Sequence, residues 1–217
     1  MKARRRNALA YPVSLCCTIL SLPYLASAHM KMSYPPPLGD PSITDSANAD
    51  YDETSPLSPD GSDYPCKGFT NSPFVSQATY SAGQTYNMTI AGSASHDGGS
   101  CQLSLSYDET GFKVIKSMIG GCPLQTTYDF TIPPDAPSGN ALFAWTWENK
   151  VGNREFYMNC AQVTIEGPGD DTSNALSELP NIWVANIESV NTCTTTEGVD
   201  PMYPHPGCDV EYADGMS

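Results

Sequence analysis

Cations are scarce in this sequence. Ten lysines and arginines stand against 24 aspartates and glutamates, a formal charge of −14. A surface of that sign repels a phosphate backbone, so nucleic acid is excluded as a partner. An uncharged or cationic polymer stays compatible. Histidine is rarer still, with three in the chain, so chemistry that needs imidazole has few places to occur. No internal repeat is visible, and no convincing helical segment separates the strand-like runs described below. No CxxC pair occurs, which argues against a metal-cluster reading of the cysteines. The acids lie mainly in loops and form no recognisable pair of the kind a glycoside hydrolase sets on either side of the bond it cleaves.

What is present begins with a basic cluster, Lys2 with Arg4, Arg5 and Arg6, followed by an apolar stretch from about Ala8 to Leu25 and then Ala26-Ser27-Ala28. That order reads as a secretory signal peptide over residues 1–28. Pro12 and Pro23 interrupt the stretch and no stop-transfer flank follows, so no membrane anchor is expected. Cleavage after Ala28 leaves His29 as the first residue of a secreted, extracellular chain. Four cations and no acids leave with the signal, moving the formal charge from −14 to −18.

Residues 29–217 suit one domain, and a monomer is expected. Cys66, Cys101, Cys122, Cys160, Cys193 and Cys208 form an even set in an oxidising compartment, which predicts three disulfides. Six cysteines allow about 15 pairings. Cys101–Cys122 and Cys193–Cys208 suit local closures, which leaves Cys66 with Cys160.

From Ser33 to Pro65 the chain is rich in Pro, Ser, Asp and Gly and reads as a long surface loop outside the core. At Thr85 the pattern changes: Tyr86, Met88 and Ile90 alternate with Asn87, Thr89 and Ala91, which is strand behaviour. Gln102 to Tyr107, Phe112 to Ile119, Thr126 to Ile132, Ala141 to Trp147 and Asn159 to Ile165 repeat it, divided by Gly, Pro and Asp. Short strands at regular spacing predict an all-β fold, an immunoglobulin-like antiparallel β-sandwich with long loops. Phe143, Trp145 and Trp147 share one strand face and read as core. Gly167 to Pro180 is acidic and linker-like, and Asn181 to Ile187 is strand-like again. The tail, about residues 179–210, is expected to pack on a core of about 29–167. Asn87-Met88-Thr89 is an N-glycosylation acceptor, which requires that strand face to be exposed.

The strongest chemical clue is positional. A histidine at a new N-terminus offers its free amine and its imidazole to one metal as a chelate, and an α-amine of pKa about 7.7–8.0 gives up its proton near neutrality at small cost. One more imidazole completes a planar three-nitrogen set of the kind Cu(II) favours. The remaining histidines are His96, in Ser95-His96-Asp97-Gly98-Gly99 just before a strand, and His205, between Pro204 and Pro206. A lone loop histidine is more often an idle surface residue, and His205 is read that way. Tyr157 taken alone reads as a core or rim residue, and Glu155 beside Arg154 as a surface ion pair worth little.

Several long segments in order resemble the fungal chitin-active lytic polysaccharide monooxygenases, a copper histidine-brace family. They are HMKMSYP at 29–35, DGSDYPCK at 60–67, SASHDGGSCQLSL at 93–105, VIKSMIGGCP at 114–123, AWTWENKVGNREFYMNCA at 144–161, LPNIWVANI at 179–187 and CTTTEGVD at 193–200. The resemblance implies one copper ion per chain, held by His29 and His96 with Tyr157 as axial ligand. It places Glu155 near the copper, where it orients the oxygen species, and Ala94 as the small residue crowding the remaining face. The implied activity is oxidative cleavage of crystalline chitin, with hydrogen peroxide or dioxygen and an external electron donor. A copper at an N-terminus lies at the surface and suits a flat substrate, with Tyr34 and the loop around Asp63 and Tyr64 as candidates for the binding plane. Two other classes share these features in part: a non-catalytic extracellular copper-binding protein with the same brace, and a carbohydrate-binding module that needs no terminal histidine.

Overall fold

The computed structural model describes residues 29–216, and the signal peptide assigned to residues 1–28 lies outside them. Two sheets face each other. The smaller has the order β1-β3-β6, formed by Met30–Tyr34, Thr85–Gly92 and Thr127–Thr131. The larger has the order β2-β8-β7-β4-β5-β9, formed by Ala78–Ser81 (β2), Tyr157–Glu166 (β8), Gly139–Asn149 (β7), Gly99–Ser106 (β4), Lys113–Ile119 (β5) and Val210–Tyr212 (β9). Pairing is antiparallel except where the edge strands β2 and β9 join β8 and β5 in parallel. The architecture is the expected β-sandwich.

The period-two pattern explains the smaller sheet. Met88 and Ile90 on β3, with Tyr128 and Phe130 on β6, point inward and are buried, while Asn87 and Asp129 point outward. Asn87 is exposed, opposite Asp129 in the register. Across the sandwich these side chains meet Leu103, Met118, Phe143, Trp145, Trp147 and Val163 from the larger sheet. The three large aromatics of β7 are therefore core.

The larger sheet has a second covered face, which alternation does not announce. Leu142 and Ala144, pointing away from the main core, pack with Phe112, Phe156, Met158, Val184, Ile187 and Leu57. Leu57 belongs to the stretch expected to be a surface loop, and that expectation is corrected. Ser33 and Tyr34 end β1, Leu57 is 2% exposed, and the amides of Leu38 and Leu57 donate to the carbonyls of Cys160 (2.7 Å) and Phe156 (2.8 Å). Ion pairs of Lys31 with Glu53 and of Lys67 with Asp50 fasten the same loop. A few apolar residues in a polar stretch suffice because the sheet face beneath them is apolar and must be covered. Leu176 does the same in the linker-like segment and reaches the main core. Asn181 to Ile187 is no strand: it makes one isolated bridge, Asn181 to Lys113, and contributes Val184 and Ile187 as plugs.

Among the described residues two disulfides are formed, Cys66–Cys160 and Cys101–Cys122. Cys193 and Cys208 are both free and exposed, so the expected third bridge is corrected. The tail is held separately near each cysteine and at points between them. The Cys193 carbonyl accepts from Asn186 N (2.9 Å), and beside Cys208 the Asp209 carbonyl accepts from Ser117 N on β5 (2.9 Å). In between, Ser100 Oγ donates to the Pro201 carbonyl (2.6 Å) and the Tyr203 hydroxyl to Glu148 Oε2 (2.7 Å).

That last contact is buried with its other carboxylate oxygen unpartnered. Burial pushes the Glu148 carboxyl up from 4.5 to about 8, outweighing the hydroxyl it accepts. The folded chain therefore holds a proton that the unfolded chain has released between about pH 4.5 and 8, and stability is lost as pH rises through that window. Glu148→Gln, uncharged and still able to accept from Tyr203, is expected to flatten the fall of the unfolding midpoint over that range. Equal slopes in the two proteins would contradict this account.

Candidate metal centre

His29 is placed by β1. The register pairs Met30 with Gly92 on β3, and Ser93 N donates to the His29 carbonyl at 3.4 Å. Gly92, at φ +145°, is required there: a Cβ would lie 2.2 Å from the His29 carbonyl oxygen and 2.8 Å from Met30 Cα. Four residues on, the chain turns back. Gly98 N donates to the Ser95 carbonyl at 2.8 Å, and the two central residues, His96 and Asp97, have φ of +50° and +54°. That is a type I′ turn, and Asp and His tolerate left-handed backbone better than most residues. The strain is held by β7 and the loop that follows it: Val151 N donates to the His96 carbonyl (3.0 Å), and Lys150 N and Trp147 Nε1 both donate to the Gly98 carbonyl (3.0 and 3.2 Å).

These constraints stack the His29 and His96 rings, centroids 5.3 Å apart and 20° from parallel. Trp147 and Tyr157, opposite each other in the β7–β8 register, form the floor. Their rings are 4.4 Å apart; Trp147 lies 5.7 Å from His96 and Tyr157 lies 5.6 Å from His29. The Tyr157 hydroxyl donates to Glu155 Oε2 at 2.7 Å. Burial, and then the adjacent Glu155 carboxylate, hold that phenol well above its usual pKa, so it stays a neutral donor.

One ligand atom each from His29, His96 and Glu155 lies within 4.8 Å of the others. His96 Nε2 is buried and has no hydrogen-bond partner. A buried ring nitrogen with nothing to bind is costly, and a metal ion in this cluster would satisfy it. Two imidazoles and a carboxylate suit a borderline transition metal such as copper. The residues present fit the implied ion.

The structure thus brings together four of the residues singled out in the sequence: His29, His96, Glu155 and Tyr157. Ala94 is half-buried in the segment between Gly92 and the His96 turn. His205 is exposed on the tail and stands outside the cluster. Tyr34, 45% exposed, ends β1. Asp63 and Tyr64 are used by their own loop, Asp63 accepting from Ser58 N (2.9 Å) and Tyr64 packing on Phe156. Arg154 is not the partner of Glu155; it pairs with Glu197 at 2.9 Å. Asn149 was not legible as a site residue, yet its Oδ1 accepts from Glu155 N (3.3 Å) and its Nδ2 donates to the Val151 and Asn153 carbonyls.

Gly92→Ala is expected to destabilise the fold by about 1–3 kcal/mol, since a strained backbone must shift. It should also break the His29–His96 stacking. Unfolding midpoints and a crystal structure of the variant check both, and an unchanged midpoint with unchanged stacking would contradict the assignment.

No family model matches the chain. It is 55% identical over 184 residues to an AA11 family lytic polysaccharide monooxygenase A of Aspergillus fumigatus, covering 82% of this chain and 83% of that protein. An AA11 family lytic polysaccharide monooxygenase of Aspergillus oryzae is 38% identical over 87% of this chain, which spans about half (49%) of that longer protein. Among solved structures, a cellulose-active polysaccharide monooxygenase from M. thermophila superimposes with a TM-score of 0.50 at 17% identity, covering 73% of this chain and 84% of that one. That likeness concerns the fold alone. The first relative shares more than half of the aligned residues across four-fifths of both chains, and with it this chain belongs to the AA11 family of lytic polysaccharide monooxygenases, copper-dependent oxidoreductases.

Proposed function

We propose that the chain is secreted, is cleaved after Ala28, and holds one copper ion through the freed His29 amine and the imidazoles of His29 and His96, with Tyr157 beside them. It then cleaves glycosidic bonds of crystalline chitin oxidatively. The observation that carries the reading is the buried, unpartnered His96 Nε2 within the three-residue cluster. The free amine supplies the third nitrogen that the side chains lack. Copper supplies the redox chemistry, drawing on an external electron donor and on hydrogen peroxide or dioxygen.

The chain's own residues set the conditions for that chemistry. Tyr157 keeps its proton and gives its hydrogen bond to Glu155 Oε2, which fixes the carboxylate beside the two rings. Asn153 Nδ2 lies 3.4 Å from the other oxygen, a weak contact that leaves Glu155 Oε1 able to accept from a protonated oxygen species. Ala94, half-buried just before the His96 turn, is in this reading the small residue that crowds the remaining face of the site. Trp147, buried beneath His96, keeps water from the inner side of the ring. The exposed Asn87, on the outer face of the smaller sheet, carries an N-linked glycan in this reading. A net-negative protein is compatible with an uncharged or partly deacetylated, cationic glycan.

Protein starting at His29 is expected to release oxidised chito-oligosaccharides from crystalline chitin when copper and ascorbate are supplied, as read by mass spectrometry. Glu155→Gln is expected to keep copper affinity within about tenfold while lowering product formation by about 100-fold or more. Copper binding with no oxidised product from any glycan would favour the copper-buffering reading. Product from another glycan but none from chitin would overturn the substrate.

A further inference from the structure

We propose that Glu197, in the tail, is a positioning residue for the metal centre: acting through Arg154 and Gly152, it holds the 149–155 loop against His96 and Glu155. The proposal rests on the copper-site reading above.

The loop joins β7 to β8 and bears on both site residues. Its Val151 amide fixes the strained His96 carbonyl, and its Gly152 backbone faces the His96 ring so closely that a Cβ there would lie 3.0 Å from Nδ1. Glu155 lies two residues before β8 begins. Phe156 anchors the far end of the loop in the core, but ahead of it the loop carbonyls converge on one guanidinium. Arg154 donates to the carbonyls of Asn149 (3.0 Å), Lys150 (3.2 Å) and Gly152 (2.9 Å).

That guanidinium is fixed from outside by the tail. Glu197 pairs with Arg154 Nη2 at 2.9 Å, and Thr195 Oγ1 accepts from Nη1 at 3.1 Å. The Glu197 carboxylate also accepts from Gly152 N, at 3.2 and 3.1 Å. One side chain thus grips the loop twice, at the residue facing His96 and at the residue preceding Glu155. Asn186 adds a third grip, with Nδ2 donating to the Glu155 carbonyl (3.0 Å) and to Thr195 Oγ1 (3.1 Å).

The Glu197 side chain is 58% exposed. An ion pair so open to water adds little to global stability, whereas charge-assisted contacts to backbone still impose geometry. The two roles therefore separate in experiment. Positioning predicts a large effect on the site with a small effect on unfolding.

The test uses protein starting at His29, with Glu197→Ala, Glu197→Gln, His96→Ala and, as a control elsewhere in the tail, Glu211→Ala, which removes the ion pair with Lys116. Imidazole resonances of His29 and His96 are recorded by NMR without metal, and Cu(II) affinity is measured by competition titration. Glu197→Ala is expected to shift or broaden the His96 resonance and to weaken Cu(II) binding by about tenfold, with the unfolding midpoint lowered by no more than about 3 °C. Glu197→Gln, which still accepts from Arg154 and Gly152, should restore most of the affinity, and Glu211→Ala should match the parent. The proposal is overturned if Glu197→Ala leaves resonance and affinity unchanged, if Glu211→Ala perturbs them equally, or if affinity falls only alongside a large loss of stability. A parent that binds Cu(II) no better than His96→Ala sinks the copper-site reading and this proposal with it; a parent that binds while Glu197→Ala is unchanged sinks the proposal alone.

Discussion

The pairing of β1 with β3 is the contact on which the site depends. It brings the first described residue, His29, beside a segment 67 positions later in the chain, because Met30 sits opposite Gly92 and the His96 turn follows directly. Only glycine lets the two backbones approach that closely at this point. The smaller sheet is therefore more than one half of a hydrophobic sandwich. It is the part that carries one histidine to the other, while the larger sheet supplies the floor through Trp147 and Tyr157.

The site is open at the edge of the sandwich, so its rigidity has to come from beneath and beside it. Beneath, buried aromatics leave the two imidazoles little freedom to tilt. Beside, the β7–β8 loop holds a left-handed His96 backbone that would otherwise relax. That loop is in turn held by polar contacts from the tail, so order passes from the packed core outward through hydrogen bonds. The buried Glu148–Tyr203 contact anchors the same tail, at the cost of a carboxyl that resists ionisation.

Strands β3 to β8 were legible because each runs for five residues or more with apolar and polar positions separated by the pleat, or with a continuous apolar run. The short strands were not. β2 and β9 have four and three residues, too few for a period to show. β1 has only Met30 and Met32 as inward residues. The covered outer face of the larger sheet was hidden for another reason: Leu57, Val184 and Ile187 lie singly in polar stretches, and burial there follows from the apolar face they meet. Of the site, His29 and His96 stood out because imidazole is rare and one of them follows a stretch that reads as a signal peptide. Glu155 and Tyr157 have no such signal, and only the family resemblance picked them out. Arg154 was read with its sequence neighbour, whereas its partner Glu197 lies 43 positions away, a pairing that local charge pattern does not reveal. Cys193 and Cys208 show the converse, since closeness in sequence did not bring them together.

The proposed copper site requires a mature chain that begins at His29. Electron paramagnetic resonance of Cu(II)-loaded protein, compared between a chain starting at His29 and one retaining Ala28 ahead of it, addresses this directly. The chain starting at His29 should show three coordinating nitrogens and bind copper about 100-fold or more tightly than the extended one. The same spectrum and the same affinity from both would contradict the account.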